Sequence, residues 1–233
     1  MNPSTLVRSF SLIFILISGS VNASGMVPET SVVIVEQGDG EGAINVKNTD
    51  AFPVMLLTTL EDIPEDKDHL LIVTPPAARV EPGKSQRVRF ILTSQIPLKT
   101  ERLKRVIFEG IPPQQKGKNE VRMTVRQNLP VLIRPAGLAQ DPTPWKRLTW
   151  KRQESNLLVS NTSPYVVRLG RYVQTRPDNV IWELPATYVL PGQKIKLSPK
   201  KGSPKLGVST HVRISPATTW GYTVKIYDAP LAK

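Results

Sequence analysis

Few side chains in this sequence are equipped for covalent chemistry. Cysteine is absent, and the two histidines, His69 and His211, stand far apart in the chain. Thiol catalysis and cysteine-based metal sites are thereby excluded, and a histidine relay or histidine metal centre lacks its partners. The Ser-rich and Gly-rich stretches do not have the surroundings of a nucleophile elbow or a phosphate loop. Paired acids occur in EDIPEDKD (61–68), which reads most simply as a solvated acidic loop. The chemistry left to this chain is that of binding, through cations and through exposed strand.

The stretch with the strongest binding signature is NEVRMTVRQNLPVLIRP (119–135). Val121, Met123 and Val125 alternate with Arg122, Thr124 and Arg126, and Leu129, Val131 and Ile133 continue the same parity. A period of two places one set of side chains on each face of a strand. Taken alone, the alternation is equally that of a strand facing its own core. Leu129, Val131 and Ile133 are read as core.

The elements around this strand follow from composition. The chain has 233 residues with 22 prolines, no sustained helical periodicity, and short Val, Ile, Leu and Thr runs between Pro, Gly, Asn and Asp punctuation. That texture is all-β. The first 23 residues read as a secretory signal, with Arg8, the apolar run FSLIFILI (10–17) and the small residues VNA (21–23). The apolar run is too short to cross a bilayer, so an exported, soluble mature protein is expected. Net charge is +12. Residues 24–135 hold 15 basic and 14 acidic side chains, whereas 136–233 hold 15 and 5. A basic half suits an anionic partner, but export and the lack of basic motifs interleaved with aromatics argue against nucleic acid. KLSPKKGSPKLG (196–207) is read as a basic exposed loop.

RPAGLAQDPTPW (134–145), with three prolines, divides the mature chain into domains at 24–135 and 136–233. Strands are predicted at 31–36, 42–47, 54–61, 69–73, 86–93, 105–109 and 121–133 in the first. In the second they are predicted at 148–152, 156–161, 166–174, 186–190, 193–197, 210–214 and 221–227. Seven short strands in each domain predict two immunoglobulin-like β-sandwiches. No close internal repeat is evident.

Several motifs then add a family. TPPAARVEPGKSQRVRF (74–90), ERLKRVIFEGIPP (101–113) and LPVLIRPAGL (129–138) stand in the order and spacing of the periplasmic chaperones of chaperone–usher pilus assembly. SNTSPYVV (160–167) and LPGQ (190–193) resemble that family's second domain. The resemblance implies two immunoglobulin-like domains in a boomerang arrangement, pilin or fimbrial subunits and an outer-membrane usher as partners, a periplasmic location, no cofactor and no enzymatic activity. Its implied mechanism is donor-strand complementation, with Val121, Met123 and Val125 filling the groove of an incomplete pilin sandwich. It also implies an interdomain cluster of Glu101, Arg134 and Asp228.

The sequence departs from the family's best-known branch at the carboxylate anchor. That branch holds the pilin's terminal carboxylate with a basic pair, and the matching positions here are Ser31 and Pro130. In this respect the chain resembles the family's divergent archaic branch. Arg126, Arg105, Arg89 and Lys104 are the replacement candidates, with Arg126 and Arg105 ranked first as lying near the cleft. Two other readings are a degenerate paralogue that has lost tight pilin binding and an exported structural or accessory component of a surface fibre.

Overall fold

A computed structural model describes residues 25–94, 96–113, 124–222 and 224–232. The signal call at 1–23 lies outside them, as do Val121 and Met123 of the donor-strand call.

Alternation builds the first domain. Its strands are β1 (Met26–Pro28), β2 (Val33–Glu36), β3 (Glu41–Asn48), β4 (Val54–Glu61), β5 (Leu71–Thr74), β6 (Ala77–Val80), β7 (Ser85–Leu92), β8 (Arg102–Ile111) and β9 (Arg126–Arg134). They pair in the order β5-β7-β3-β2-β9-β8-β4-β6, with β1 beside β3. The chain thus changes partner within residues 26–36: β1 runs antiparallel to β3, and β2 runs parallel to β9. The inward residues Val35, Ile44, Val46, Val88, Phe90 and Phe108 are fully buried. Each such side chain contributes about 1.5–3 kcal/mol of gross burial energy.

The second domain begins with a short 3-10 turn at Pro144–Arg147. Its strands are β10 (Leu148–Gln153), β11 (Asn156–Asn161), β12 (Val167–Arg168), β13 (Tyr172–Pro177), β14 (Ile181–Glu183), β15 (Tyr188–Val189), β16 (Lys194–Leu197), β17 (Ser209–Ile214) and β18 (Tyr227–Ala232). Seven of them pair in the order β14-β13-β17-β18-β10-β11-β16, and β12 pairs with β15. Trp150, Trp182, Leu157 and Val212 fill the core. Here too a strand at the start of the domain meets the last one in parallel, Trp150 of β10 opposite Leu231 of β18. The edge strand β16 is guarded by exposed Lys194 and Lys196, side chains that oppose pairing with a second chain.

Several strand calls shift. The strand predicted at 166–174 is two, β12 and β13, because Gly170 turns away and donates its N–H to the Ser215 carbonyl at 2.7 Å. The strand predicted at 221–227 is displaced to β18, and Thr218–Tyr222 instead close a tight turn, Gly221 N–H to Thr218 carbonyl at 2.9 Å. The short strands β1, β6 and β14 fall where no strand was predicted; three or four residues carry too little alternation to register.

A third apolar cluster joins the domains. Val32, Ile63, Leu103 and Leu132 of the first pack with Val166 of the second, flanked by Tyr188 and Leu190. Leu132 lies on the face of β9 opposite to Leu129, Val131 and Ile133, which belong to the first domain's own core.

Candidate functional site

The domain junction is held by a charge cluster of changed membership. Arg134, at the end of β9, is 3% exposed. Its Nε donates to Glu101 at 3.4 Å, and its Nη1 pairs with Glu36. Glu101 in turn accepts the backbone N–H of Val166 at 2.8 Å, and its own N–H donates to the Pro164 carbonyl at 2.8 Å, both across the domain boundary. Burial raises the Glu101 carboxyl above the usual range, against the opposing pull of the Val166 N–H and the Arg134 charge. Asp228 is not a member: it forms a two-pronged exposed pair with Arg213 on neighbouring strand β17, both bonds 2.8 Å. The third acid is Glu36, delivered by the parallel register that sets it opposite Arg134.

Three of the four candidate anchor cations are engaged by the chain's own carboxylates. Lys104 is buried and its ammonium reaches Asp62 at 2.7 Å and Asp66 at 2.9 Å. Arg102 completes that cluster; burial would raise the Asp66 carboxyl, but the bonds from Arg102 and Lys104 outweigh it and hold the group below its usual range. Arg89 pairs with Glu41 on the adjacent strand, with β3 and β2 between it and β9. Arg126 pairs with Glu109 at 3.2 Å. It opens β9 rather than closing it, about 26 Å from the junction end at roughly 3.3 Å per residue. Its ranking as a cation close to the hinge is therefore corrected.

Arg105 is different. Among the described residues its guanidinium bonds to Asn128 alone, to the side-chain oxygen at 2.6 Å and the carbonyl at 2.8 Å. Within reach of its charge lies Arg168, a residue sequence reasoning missed, whose Nη2 donates to the Thr218 carbonyl at 2.8 Å. Among the described residues neither arginine has a carboxylate within ion-pair distance. Burial lowers the pKa of both, and the Arg105 charge lowers that of Arg168 further; Tyr188 and Glu61 pull weakly the other way on Arg105, and Glu101 does so on Arg168, none of them within ion-pair distance. Two partly desolvated cations that repel one another carry a standing cost unless an anion joins them. Nothing in the sequence brings Arg168 next to Arg105, since they lie in different domains.

Beside this pair, β9 is half-paired. Residues Arg126–Pro130 run against β8, while pairing with β2 begins only at Val131. Pro130, which has no N–H to donate, falls within that half-paired stretch, where a proline is tolerated. Val125, just ahead of it, is 59% exposed.

Comparison with known proteins gives this arrangement a family. Residues 25–139 match the family model of the pili and flagellar-assembly chaperone, PapD N-terminal domain, and residues 143–225 that of the pili assembly chaperone PapD, C-terminal domain. The fimbrial chaperone YhcA of Escherichia coli K12 is 42% identical over 220 residues, 94% of this chain and 96% of that one. Among solved structures, the E. coli chaperone DraB superposes with a TM-score of 0.70 at 20% identity, covering 90% of this chain and 97% of DraB. The SafB chaperone of Salmonella enterica, solved with the SafA pilin, gives a TM-score of 0.72 at 18% identity over 91% and 99% of the two chains. Those two likenesses carry the fold of paired immunoglobulin-like sandwiches. With both domain models matched in order and a fimbrial chaperone similar along nearly its full length, the chain belongs to the family of pilus-assembly chaperones.

Proposed function

We propose that this chaperone holds a pilin or fimbrial subunit along the open edge of β9, in the periplasm, and passes it to an outer-membrane usher. The observation that carries this reading is the half-paired stretch Arg126–Pro130, held at Asn128 by Arg105, with Arg105 and Arg168 free of any ion-paired carboxylate among the described residues. A strand with one free side can accept another chain's main-chain hydrogen bonds. A polypeptide ending there brings its own carboxylate to Arg105 and Arg168, and charge-assisted bonds suit that ligand. In this reading Val121, Met123 and Val125 enter the subunit's groove, and residues 1–23 direct export. Arg105 is retained from the sequence candidates and Arg168 joins it; Arg89, Lys104 and Arg126 keep their internal partners. Glu101, Arg134 and Glu36 fix the angle between the two domains that carry these arginines. The fibre-component alternative is not favoured by the family.

Co-expression of the tagged, full-length protein with a fimbrial subunit of the same genome tests this. A stoichiometric complex in the periplasmic extract, with the subunit rescued from degradation, is the expected result. Val125→Glu abolishes the complex while leaving the free protein folded. A complex unaffected by Val125→Glu shows that β9 is not the donor.

A further inference from the structure

The turn that replaced a predicted strand has its backbone fixed and its aromatic side chains free. Thr218 N–H donates to the Tyr222 carbonyl at 2.8 Å, and Tyr222 N–H to the Thr218 hydroxyl at 3.0 Å. The Thr219 hydroxyl bonds the Asp141 carbonyl at 3.0 Å, and Arg168 holds Thr218 from below. Across the domain boundary, the Ser31 hydroxyl donates to the Gly221 carbonyl at 3.1 Å. Gly221 has φ +87°, and a Cβ there would stand 2.0 Å from the Ser31 oxygen, so both the conformation and the contact require glycine. Yet Trp220 is 42% and Tyr222 73% exposed.

These two rings form one wall of an open cleft of about 420 Å³. Glu29 and Ser31 form a second wall, and Gln127 and Leu129 of the half-paired stretch form the floor. The cleft is tied to both arginines: Asn128, held by Arg105, lines it, and Arg168 holds the turn that carries its two rings. Aromatic side chains carried on a fixed backbone have few torsions to lose on contact and offer large apolar area.

We propose that Trp220 and Tyr222 form a side-chain pocket that receives one apolar side chain of the bound subunit, close to its carboxylate end, and so contributes to choosing among clients. The occupant is an extended polypeptide because the floor is strand edge and the adjoining charge is unpaired cation. This inference rests on the chaperone reading above.

Trp220 supplies its own probe, since the other three tryptophans are at most 4% exposed. Iodide quenching of tryptophan emission is measured for the free protein and for the purified complex with a fimbrial subunit, with Trp220→Phe as the reference in both. The expected result is a quenchable component in the free protein that is absent from Trp220→Phe and lost on complex formation. Trp220→Ala and Tyr222→Ala each weaken the complex roughly tenfold, as truncation of a buried aromatic anchor does, while Tyr222→Phe does not. A complex that forms with Trp220 still quenchable and with both alanine variants binding normally overturns the pocket and leaves the chaperone reading intact. Failure to form any complex overturns both. Protection of Trp220 that instead rises with the concentration of the free protein assigns the rings to a second copy of this chain and overturns the proposal.

Discussion

Arg134 and the pair Arg105 and Arg168 are cations within the same junction region, and they are treated in opposite ways. Arg134 is buried between Glu101 and Glu36. Arg105 and Arg168 are partly desolvated, lie close enough for the Arg105 charge to act on Arg168, and among the described residues hydrogen-bond to neutral oxygens. A folded chain surrounds a structural charge with opposite charge, because an uncompensated one is costly. Leaving two cations without a carboxylate is a cost the free protein bears, and one that an incoming anion relieves. In the proposed reading the contrast separates the part of the junction that sets the angle from the part that takes the client's carboxylate.

The contrast can be broken most forcefully at Arg134. Arg134→Ala strands two carboxylates, one of them buried, and removing one member of such a cluster costs about 3–5 kcal/mol. Denaturant unfolding measures it; an unchanged midpoint would remove the cluster's structural role. Arg105→Ala and Arg168→Ala should do the reverse, leaving unfolding unchanged or slightly improved while weakening subunit binding. Loss of a bond to a charged partner costs about 1.5–3 kcal/mol, or roughly ten- to hundredfold in affinity. Equal loss of stability in all three variants would erase the distinction.

Acidity sharpens it further. The Glu101 carboxyl is raised in the fold, so its contribution to stability is complete below the ordinary glutamate value of 4.5 and declines as pH rises through its raised value. Wild type should therefore lose ground to Glu101→Gln as pH increases across that window. Asp66, lowered in the fold, contributes fully above the ordinary aspartate value of 3.8, and that contribution disappears as pH falls through its lowered value. Unfolding curves of wild type, Glu101→Gln and Asp66→Asn between about pH 2 and 7 check both signs. The smallest effect is at Asp228, whose pair with Arg213 is exposed. Asp228→Ala should leave both the unfolding midpoint and the domain angle in solution scattering unchanged, unlike Arg134→Ala.

What could be read beforehand divides along similar lines. Both sandwiches were legible because period-two alternation and turn residues are local signals. Leu129, Val131 and Ile133 were placed in the core by parity together with the family resemblance, which set Val121, Met123 and Val125 of the same parity apart as donors. Leu132 was not, because it is buried by the other domain, which strand periodicity does not register. Glu101 and Arg134 came from motif resemblance, whereas Glu36 depends on the parallel register of β2 with β9. Arg168 lacks any local signature. One signal was present and passed over: VKNTDAFPV (46–54) and VSNTSPYVV (159–167) are alike. In each, a buried asparagine amide bonds the carbonyl four residues on, Asn48 to Phe52 and Asn161 to Tyr165, and a second one from a distant strand. That pair marks the two domains as variations on one plan.

The parallel pairing of an early strand with the last one in each domain, β2 with β9 and β10 with β18, also sets a timetable. A chain that appears amino end first presents Val33 roughly a hundred residues before Val131, its neighbour in the sheet, and such distant pairings are slow to form. The first sandwich stays unclosed until β9 has emerged, and the second until β18 has. The strand that closes the first sandwich is also the one with the open edge, so the surface for a client comes into being in the same event that completes the domain.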